Sequence, residues 1–202
     1  DHGLRAASQQ EVKAVAATSE RLGLPCDVIN LVLETGPNLA ERARDARRTV
    51  LNGYTADCIA TGHHEGDQAE TVLYNLLRGS GSRGLRGMQA KDQGWVRPLL
   101  REPKSVIEAW AKMESIAWFE DPSNPMSQRG RIRNLMPDLD KIHGGSGRAL
   151  SRSARLLARE DGYFSDHLDS CWPELVVDDG IVLAEFDRLH PAIQLRALRR
   201  LL

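Results

Sequence analysis

Cys58-Ile59-Ala60-Thr61-Gly62-His63-His64-Glu65-Gly66-Asp67-Gln68-Ala69-Glu70-Thr71 reads as a short buried strand, a glycine stop and the opening of a helix. Val72, Leu73, Leu76 and Leu77 then give that helix an apolar side, and it is expected to run through Arg78. With a start near Glu65, His63, Asp67 and Glu70 fall at relative positions 0, +4 and +7 and share one face. A helix N-terminus carries partial positive charge and free amides, which suit phosphate oxygens. Two carboxylates on that face could hold Mg²⁺ or grip the ammonium of an amine. The plainer alternative makes Asp67 and Glu70 favourable helix-start acids and the histidines satisfied surface polars. The run is not a zinc-protease motif, because no second histidine follows one turn on.

Upstream, Ser8 and Glu11 form a capping-box pattern. Val12, Val15, Ala16, Ser19 and Leu22 recur at helical spacing, and Gly23 sits where a left-handed cap belongs. Cys26 to Leu33 is short and β-branched and predicts a strand. Asn38 with Glu41 repeats the capping signature for a helix running to about Gly53. Strands alternating with helices at this interval predict right-handed crossovers and a Rossmann-like parallel sheet with flanking helices. Ligands in such sheets lie at the carboxyl ends of strands, so the segment after Thr61 is the expected site.

Downstream, Gly79 to Gly94 is rich in Gly, Ser and Arg and reads as a loop. Trp95 to Leu100 suggests a short strand that Pro98 confines to an edge or an end. Pro103 suits the first turn of a helix reaching about Glu114, and Asp121-Pro-Ser-Asn-Pro-Met is a turn cluster. The pattern changes beyond Met136. Gly144 to Gly147 reads as a linker, Ala149 to about Leu168 as a long helix, and Asp179-Gly180 as a hairpin turn. Pro191 opens a last helix, Ala192 to Leu202. The resulting division is an α/β domain over residues 1–137 and a mostly helical segment over 138–202.

The 202 residues carry a net charge of −1, so any contact with nucleic acid must come from local clusters of arginine. Cys26, Cys58 and Cys171 are far apart, which argues against a zinc ribbon or disulfide framework and fits a reducing, cytoplasmic setting. No apolar run approaches the roughly 20 residues of a membrane span, so no membrane partner is expected.

Three groups of arginines stand out. Arg78-Gly79-Ser-Gly-Ser-Arg83-Gly-Leu-Arg86-Gly-Met is followed by Arg97 and Arg101, and Arg129-Gly-Arg131-Ile-Arg133-Asn134 comes later. Glycine admits close backbone approach and arginine offers paired donors to phosphate. For a basic cluster alone, a solvated surface is the commoner reading. The third group is Arg44, Arg47 and Arg48, of which Arg44 and Arg48 share a helix face.

Taken in order, these motifs resemble a known family. They are Asp1-His-Gly-Leu-Arg5, Ala43-Arg44-Asp45-x-Arg47, Gly62-His63-His64-x-x-Asp67-Gln-Ala-Glu70-Thr71, Arg78-Gly-Ser-Gly, Gly84-Leu-x-Gly-Met88, Arg97-Pro-Leu-Leu and Glu120-Asp-Pro-Ser-Asn124. The set is similar to the tRNA(Ile)-lysidine synthetases of the N-type ATP pyrophosphatase, or PP-loop, superfamily. The likeness is close over about residues 1–137 and looser from Gly144 onward.

The resemblance implies an ATP-dependent ligase. ATP adenylates the C2 oxygen of the wobble cytidine in tRNA(Ile) with a CAU anticodon, and the ε-amine of L-lysine displaces AMP to give lysidine. ATP and Mg²⁺ are the implied cofactors, and a homodimer is allowed. Position by position, His63, Asp67, Glu70 and Arg44 fall on catalytic motifs, with Asp67 and Glu70 holding lysine or metal. His64, Arg78 and Gly79 would lie against the nucleotide, and Arg83, Arg86, Arg97, Arg131 and Arg133 against substrate or RNA.

The sequence departs from the family pattern in three places. The Ser-Gly-Gly-x-Asp-Ser loop that cradles pyrophosphate is not among these 202 residues, so they are expected to be part of a longer protein and inactive alone. Gly130 replaces an expected asparagine, and Arg48 replaces an expected aromatic residue. Two other readings stay open: a different PP-loop tRNA-modifying enzyme, such as a thiolation enzyme, or a non-catalytic RNA-binding paralogue. The thiolation enzymes related to cytidine use paired Cys-x-x-Cys motifs, which this sequence lacks.

Overall fold

A computed structural model describes residues 8–31, 36, 39–119, 127–178 and 180–201. Asp1 to Arg5, Leu33, Asn38, the Glu120–Asn124 motif, Asp179 and Leu202 lie outside the described residues, as does the side chain of Ser8. The chain divides into two compact units, residues 1–64 with 90–125, and residues 65–89 with 126–202.

The first unit contains α1 (Ser8–Arg21), α2 (Leu39–Asn52), β1 (Ile59–Ala60), β2 (Lys91–Asp92), β3 (Trp95–Val96) and α5 (Lys104–Met113), with α3 and α4 lying in the second unit. Helix α1 ends as its sequence predicts. Gly23 takes φ +67°, Leu24 N–H donates to Ser19 O at 2.9 Å, and Gly23 N–H donates to Glu20 O at 3.0 Å. These bonds satisfy carbonyls that a helix end would otherwise leave without partners. Strand β3 is the middle of three, parallel to β1 and antiparallel to β2. Gln93 and Gly94, both at positive φ, close a two-residue turn between β2 and β3 that matches the natural strand twist. This hairpin lies at the end of the segment expected to be a loop. Pro98 falls just past β3, where its missing N–H costs the ladder nothing.

Among the described residues, the extended parallel sheet expected from the alternation of elements appears only as the β1–β3 pair. Residues 24–31 are not a strand, contrary to expectation. Leu24, Val28 and Ile29 are exposed, and no strand among the described residues pairs with them. Strand propensity reflects packing and pairing rather than composition, so a β-branched run is not by itself a strand.

The second unit is largely helical: α3 (Glu65–Leu77), α4 (Ser82–Leu85), α6 (Gln128–Ile142), α7 (Ser146–Leu175), α8 (Leu183–Arg188), α9 (Pro191–Leu201) and the hairpin β4 (Val176–Val177) with β5 (Gly180–Ile181). Helix α3 packs against α7, with Ala69 and Ala154 fully buried. Further along α7, Leu168 and Leu175 form a core with Ile193 and Ala197 of α9.

Three expectations are corrected here, and one element is added. Helix α3 buries Gln68, Ala69, Glu70, Val72 and Leu73, whereas Leu76 and Leu77 near its C-terminus are exposed. The segment from 128 to 142, for which the sequence reading named no element, is α6. Ser127 caps it by accepting from Gly130 N–H at 3.0 Å, and Pro137 sits inside it. The expected linker is a tight turn: Gly145 takes φ +80°, and Ser146 N–H and Oγ both bond Asp140 Oδ1, at 2.8 and 2.6 Å. Helix α7 therefore starts earlier and ends later than predicted. In the hairpin Gly180 is itself paired, opposite Val177, rather than part of the turn that its Asp-Gly signal suggests.

Candidate functional site

In the first unit, Ile59 N–H donates to Gly94 O at 2.8 Å and Thr61 N–H to Val96 O at 3.0 Å. These parallel bonds deliver Gly62, His63 and His64 at a strand's carboxyl end, where such sheets present ligand-binding groups. His63 is half-buried, and its Nδ1 lies 2.8 Å from Thr61 Oγ1, which fixes the ring against its own strand. Arg97 lines an open concavity of about 380 Å³ with Ala90, Val96, Pro98 and Arg101. Arg48 lies 5.5 Å from the ring centre of the buried Trp95, a cation–π distance. The arginine that replaces an expected aromatic residue thus has an aromatic partner of its own. Arg44, one turn before it on α2, is exposed.

In the second unit, Glu65 and Asp67 occupy the first turn of α3, as acids favoured there by the helix dipole. Asp67 is half-buried, and its backbone carbonyl accepts from Thr71 Oγ1 at 2.8 Å. Glu70 is buried and fully engaged: Arg133 Nε donates to Oε1 at 2.7 Å and Arg133 Nη2 to Oε2 at 3.1 Å. This two-pronged geometry is the strong form of a carboxylate–guanidinium pair. Two further contacts extend the polar seam between α3 and α6. Arg129 Nη2 donates to Thr71 Oγ1 at 3.2 Å, and Tyr74 OH donates to Gln128 Oε1 at 2.9 Å. Arg78 closes the row by donating to Tyr74 OH at 3.0 Å. Arg131, between the two seam arginines, is exposed.

The glycine-rich segment after α3 is strapped down rather than loose. Gln68 Oε1 accepts from Met88 N–H at 2.8 Å, and Gln68 Nε2 donates to Met88 O at 3.0 Å. Gly87, at φ +63°, passes so close that a Cβ would stand 2.7 Å from Gln68 Oε1. Asn75 Nδ2 donates to Gly84 O at 2.7 Å. Gly79, at φ +71°, ends α3, with Ser80 N–H donating to Asn75 O at 3.0 Å. Arg86 pairs with the buried Asp161 at 2.8 Å, and Arg196 holds the other oxygen of that carboxylate at 2.7 Å. Arg83 is exposed. Of the arginines expected to face substrate, Arg86 and Arg133 are therefore bound to carboxylates of their own unit. The residues that sequence reasoning missed are Gln68, Asn75 and Asp161. Gln68 and Asn75 had only their helical spacing as a signal, and Asp161 had none.

The donor set tests the magnesium expectation. Magnesium keeps several waters and takes one or two carboxylates together with substrate phosphates. Asp67, a half-buried carboxylate in the first turn of α3, has the donor chemistry for such a role. Glu70 does not, because both its oxygens already accept from a guanidinium. Among the described residues no three His, Cys, Asp or Glu side chains converge as a metal cage.

The family model of the PP-loop domain matches residues 1–139. The chain belongs to the PP-loop family. Its curated relatives include the tRNA(Ile)-lysidine synthase of Pseudomonas fluorescens (strain Pf0-1), 37% identical over 174 residues, covering 82% of this chain and 39% of that protein. The synthase of Solibacter usitatus (strain Ellin6076) is 35% identical over 212 residues, covering 100% and 48%. That of Rhodococcus erythropolis (strain PR4 / NBRC 100887) is 38% identical over 208 residues, covering 98% and 63%. The resemblance read from the ordered motifs is therefore borne out. The chain spans less than two thirds of the length of each of these relatives. Among solved structures, the U34-tRNA thiolase NcsA from Methanococcus maripaludis with its [4Fe-4S] cluster shares the fold, with a TM-score of 0.62 at 20% identity over 78% of this chain and 60% of that one. Among the described residues no helix of this PP-loop protein is long and apolar enough to cross a membrane.

Proposed function

We propose that this chain is part of an ATP-dependent tRNA-modifying ligase that couples lysine to the wobble cytidine of tRNA(Ile) carrying a CAU anticodon. The observation that carries the reading is Asp67, half-buried in the first turn of α3, beside the opening amides of that helix. Similarity to tRNA(Ile)-lysidine synthases along nearly the whole chain supports the same substrate. In this reading residues 1–137 act as the ATP-using domain and 138–202 as the start of a substrate-binding helical segment.

The reaction runs in two displacements. The C2 oxygen of cytidine attacks the α-phosphorus of ATP and pyrophosphate leaves. The lysine ε-amine then attacks C2, loses a proton, and AMP departs with the former C2 oxygen. Adenylation is needed because that oxygen is otherwise a poor leaving group. Bound magnesium would supply charge neutralisation on the pyrophosphate. Asp67 would hold the ion or the lysine ammonium, and the amides that open α3 would face phosphate oxygens. His63, whose ring is held by Thr61, would act on the reacting groups, and His64 and Arg44 would serve the nucleotide. Arg78–Gly79, by contrast, close the far end of α3, about 16 Å along the helix from Asp67. Glu70 acts as a positioning residue that holds Arg133 and hence α6. Arg83, Arg97 and Arg131 remain the candidates for contact with RNA phosphate.

The test uses the protein in its complete genomic form, incubated with ATP, Mg²⁺, lysine and a CAU-anticodon tRNA transcript. Lysine-dependent AMP release with lysine incorporated at the wobble cytidine, lost in Asp67→Ala, is the expected result. Bound ATP and an intact fold without AMP release would overturn it.

A further inference from the structure

The first half of α7 carries Arg148, Arg152, Arg155 and Arg159, spaced by four, three and four residues. At 100° per residue these positions fall within about 60° of one another, one stripe along roughly 16 Å of helix. All four are exposed, no acidic residue shares their stripe between 148 and 159, and the buried residues Ala154, Asp161 and Leu168 occupy the opposite side of α7. With a net charge of −1 the chain offers no global attraction to a polyanion, so such attraction must come from local rows of positive charge like this one. The next turn of the helix brings Tyr163, 68% exposed.

We infer that this stripe is a docking rail for the phosphate backbone of a folded RNA. Guanidinium groups fit phosphate oxygens by paired N–H donation, and a duplex presents on the order of nine phosphate charges along such a length. RNA rather than an anionic membrane is the occupant, because the side of this half of α7 opposite the stripe packs on α3, with Ala154 fully buried, and is not available to lie in a lipid surface. The rail also leads to the candidate site. Ser151, flanked by Arg148, Arg152 and Arg155, donates through Oγ to Glu65 O at 3.1 Å, at the opening turn of α3 that bears Asp67. Substrate phosphates held along α7 would thus be registered against that turn. The inference deepens the proposed ligase reading and rests on its RNA substrate, but it concerns a surface outside the catalytic motifs.

The experiment titrates the 202-residue chain with a CAU-anticodon tRNA transcript at several salt concentrations. It compares the parent with an Arg148→Gln/Arg152→Gln/Arg155→Gln/Arg159→Gln variant and with the same four positions changed to lysine. Each phosphate contact contributes about one unit to the slope of log K against log salt. The glutamine variant is expected to lower the slope by about 3–4 and to weaken binding by about 10–100-fold near physiological salt. The lysine variant should keep most of the slope, with circular dichroism showing both folded. An unchanged slope with a Kd within about twofold of the parent overturns the rail. Loss of binding to phosphatidylserine vesicles, with tRNA binding untouched, overturns it in favour of a membrane. No tRNA binding by the parent overturns both the rail and its RNA premise. Stripe-dependent tRNA binding by a complete enzyme that transfers no lysine upholds the rail and refutes the ligase reading.

Discussion

Removing either partner of the Glu70–Arg133 pair should destabilise the second unit, and the two removals should differ. The Glu70 side chain is 9% exposed and that of Arg133 47%. Arg133→Met leaves a buried carboxylate with neither of its guanidinium donors, and a fully buried unpaired charge costs about 3–5 kcal/mol. Half of Arg133 is already in water, so solvent can enter once it is removed, and about 2–3 kcal/mol is the discounted figure. Glu70→Gln leaves a guanidinium that water can reach and an amide oxygen that still accepts one bond. About 1 kcal/mol is expected there. For a chain of this size the corresponding drops in Tm are about 4–10 °C and about 2–4 °C. Because the chain forms two compact units, a single transition is not assumed. Hydrogen exchange of α3 and α6 amides therefore supplies the local free energies. Equal small losses, or a double variant whose cost is the simple sum of the two, would refute the claim that this pair fastens α6 to α3.

Four further outcomes follow from the same geometry. Asp161→Asn leaves Arg86 and Arg196 facing each other without their shared counter-charge, and should cost about 3 kcal/mol, read as a lower urea midpoint at constant m. Gly87→Ala combines positive φ with a Cβ driven against the Gln68 amide, and should cost about 2 kcal/mol and speed exchange of the Met88 amide. Ser146 N–H and Oγ hold the Asp140 carboxyl below its ordinary value of 3.8, so its contribution to the α6–α7 turn is present above that pH and lost as pH falls through the lowered value. The stability gap between the parent and Asp140→Asn should accordingly close on acidification below 3.8, as followed by circular dichroism. Thr61→Val removes the hydroxyl beside His63 and should lower lysine-dependent AMP release by the complete enzyme by about tenfold with Tm nearly unchanged; a rate equal to that of the parent would refute a role for that contact.

Helix starts and stops with local chemistry were the most legible parts of the fold. Gly23 takes the left-handed cap its position implies, and Pro103 stands immediately before α5. Features set by distant partners were not legible. The run from Cys26 looked like a strand because its residues are β-branched, but pairing decides strands. Helix α6 contains Pro137, whose cost to a helix is real but is outweighed here by the Ser127 cap and by contacts to α3 that the sequence does not announce. Gly144 to Gly147 looked like a linker because nothing local announces that Asp140 will cap the next helix. The site divides in the same way. Spacing placed Asp67 and Glu70 on one helix, but it could not show that Glu70 would meet an arginine 63 residues away.

That division changes what the motif Asp67-Gln68-Ala69-Glu70-Thr71 means. Ala69 lets α7 approach closely, Gln68 clamps the backbone of Met88, Glu70 fixes Arg133, and Thr71 bonds its own helix and Arg129. Four of these five residues thus have a demonstrable task in building the scaffold. A helix that must fasten a glycine-rich strap on one side and an arginine-bearing helix on the other has little sequence freedom left. Under the proposed function, the chemistry of this stretch is assigned to Asp67, to the amides that open α3 and to the histidines that precede it, whereas Gln68 and Glu70 serve the scaffold. Substitutions at Gln68 or Glu70 that abolish activity would not by themselves make those residues catalytic. The discriminating measurement is whether activity and local amide protection fall together, as a scaffold requires, or whether activity falls alone, as only Asp67 and the histidines should allow.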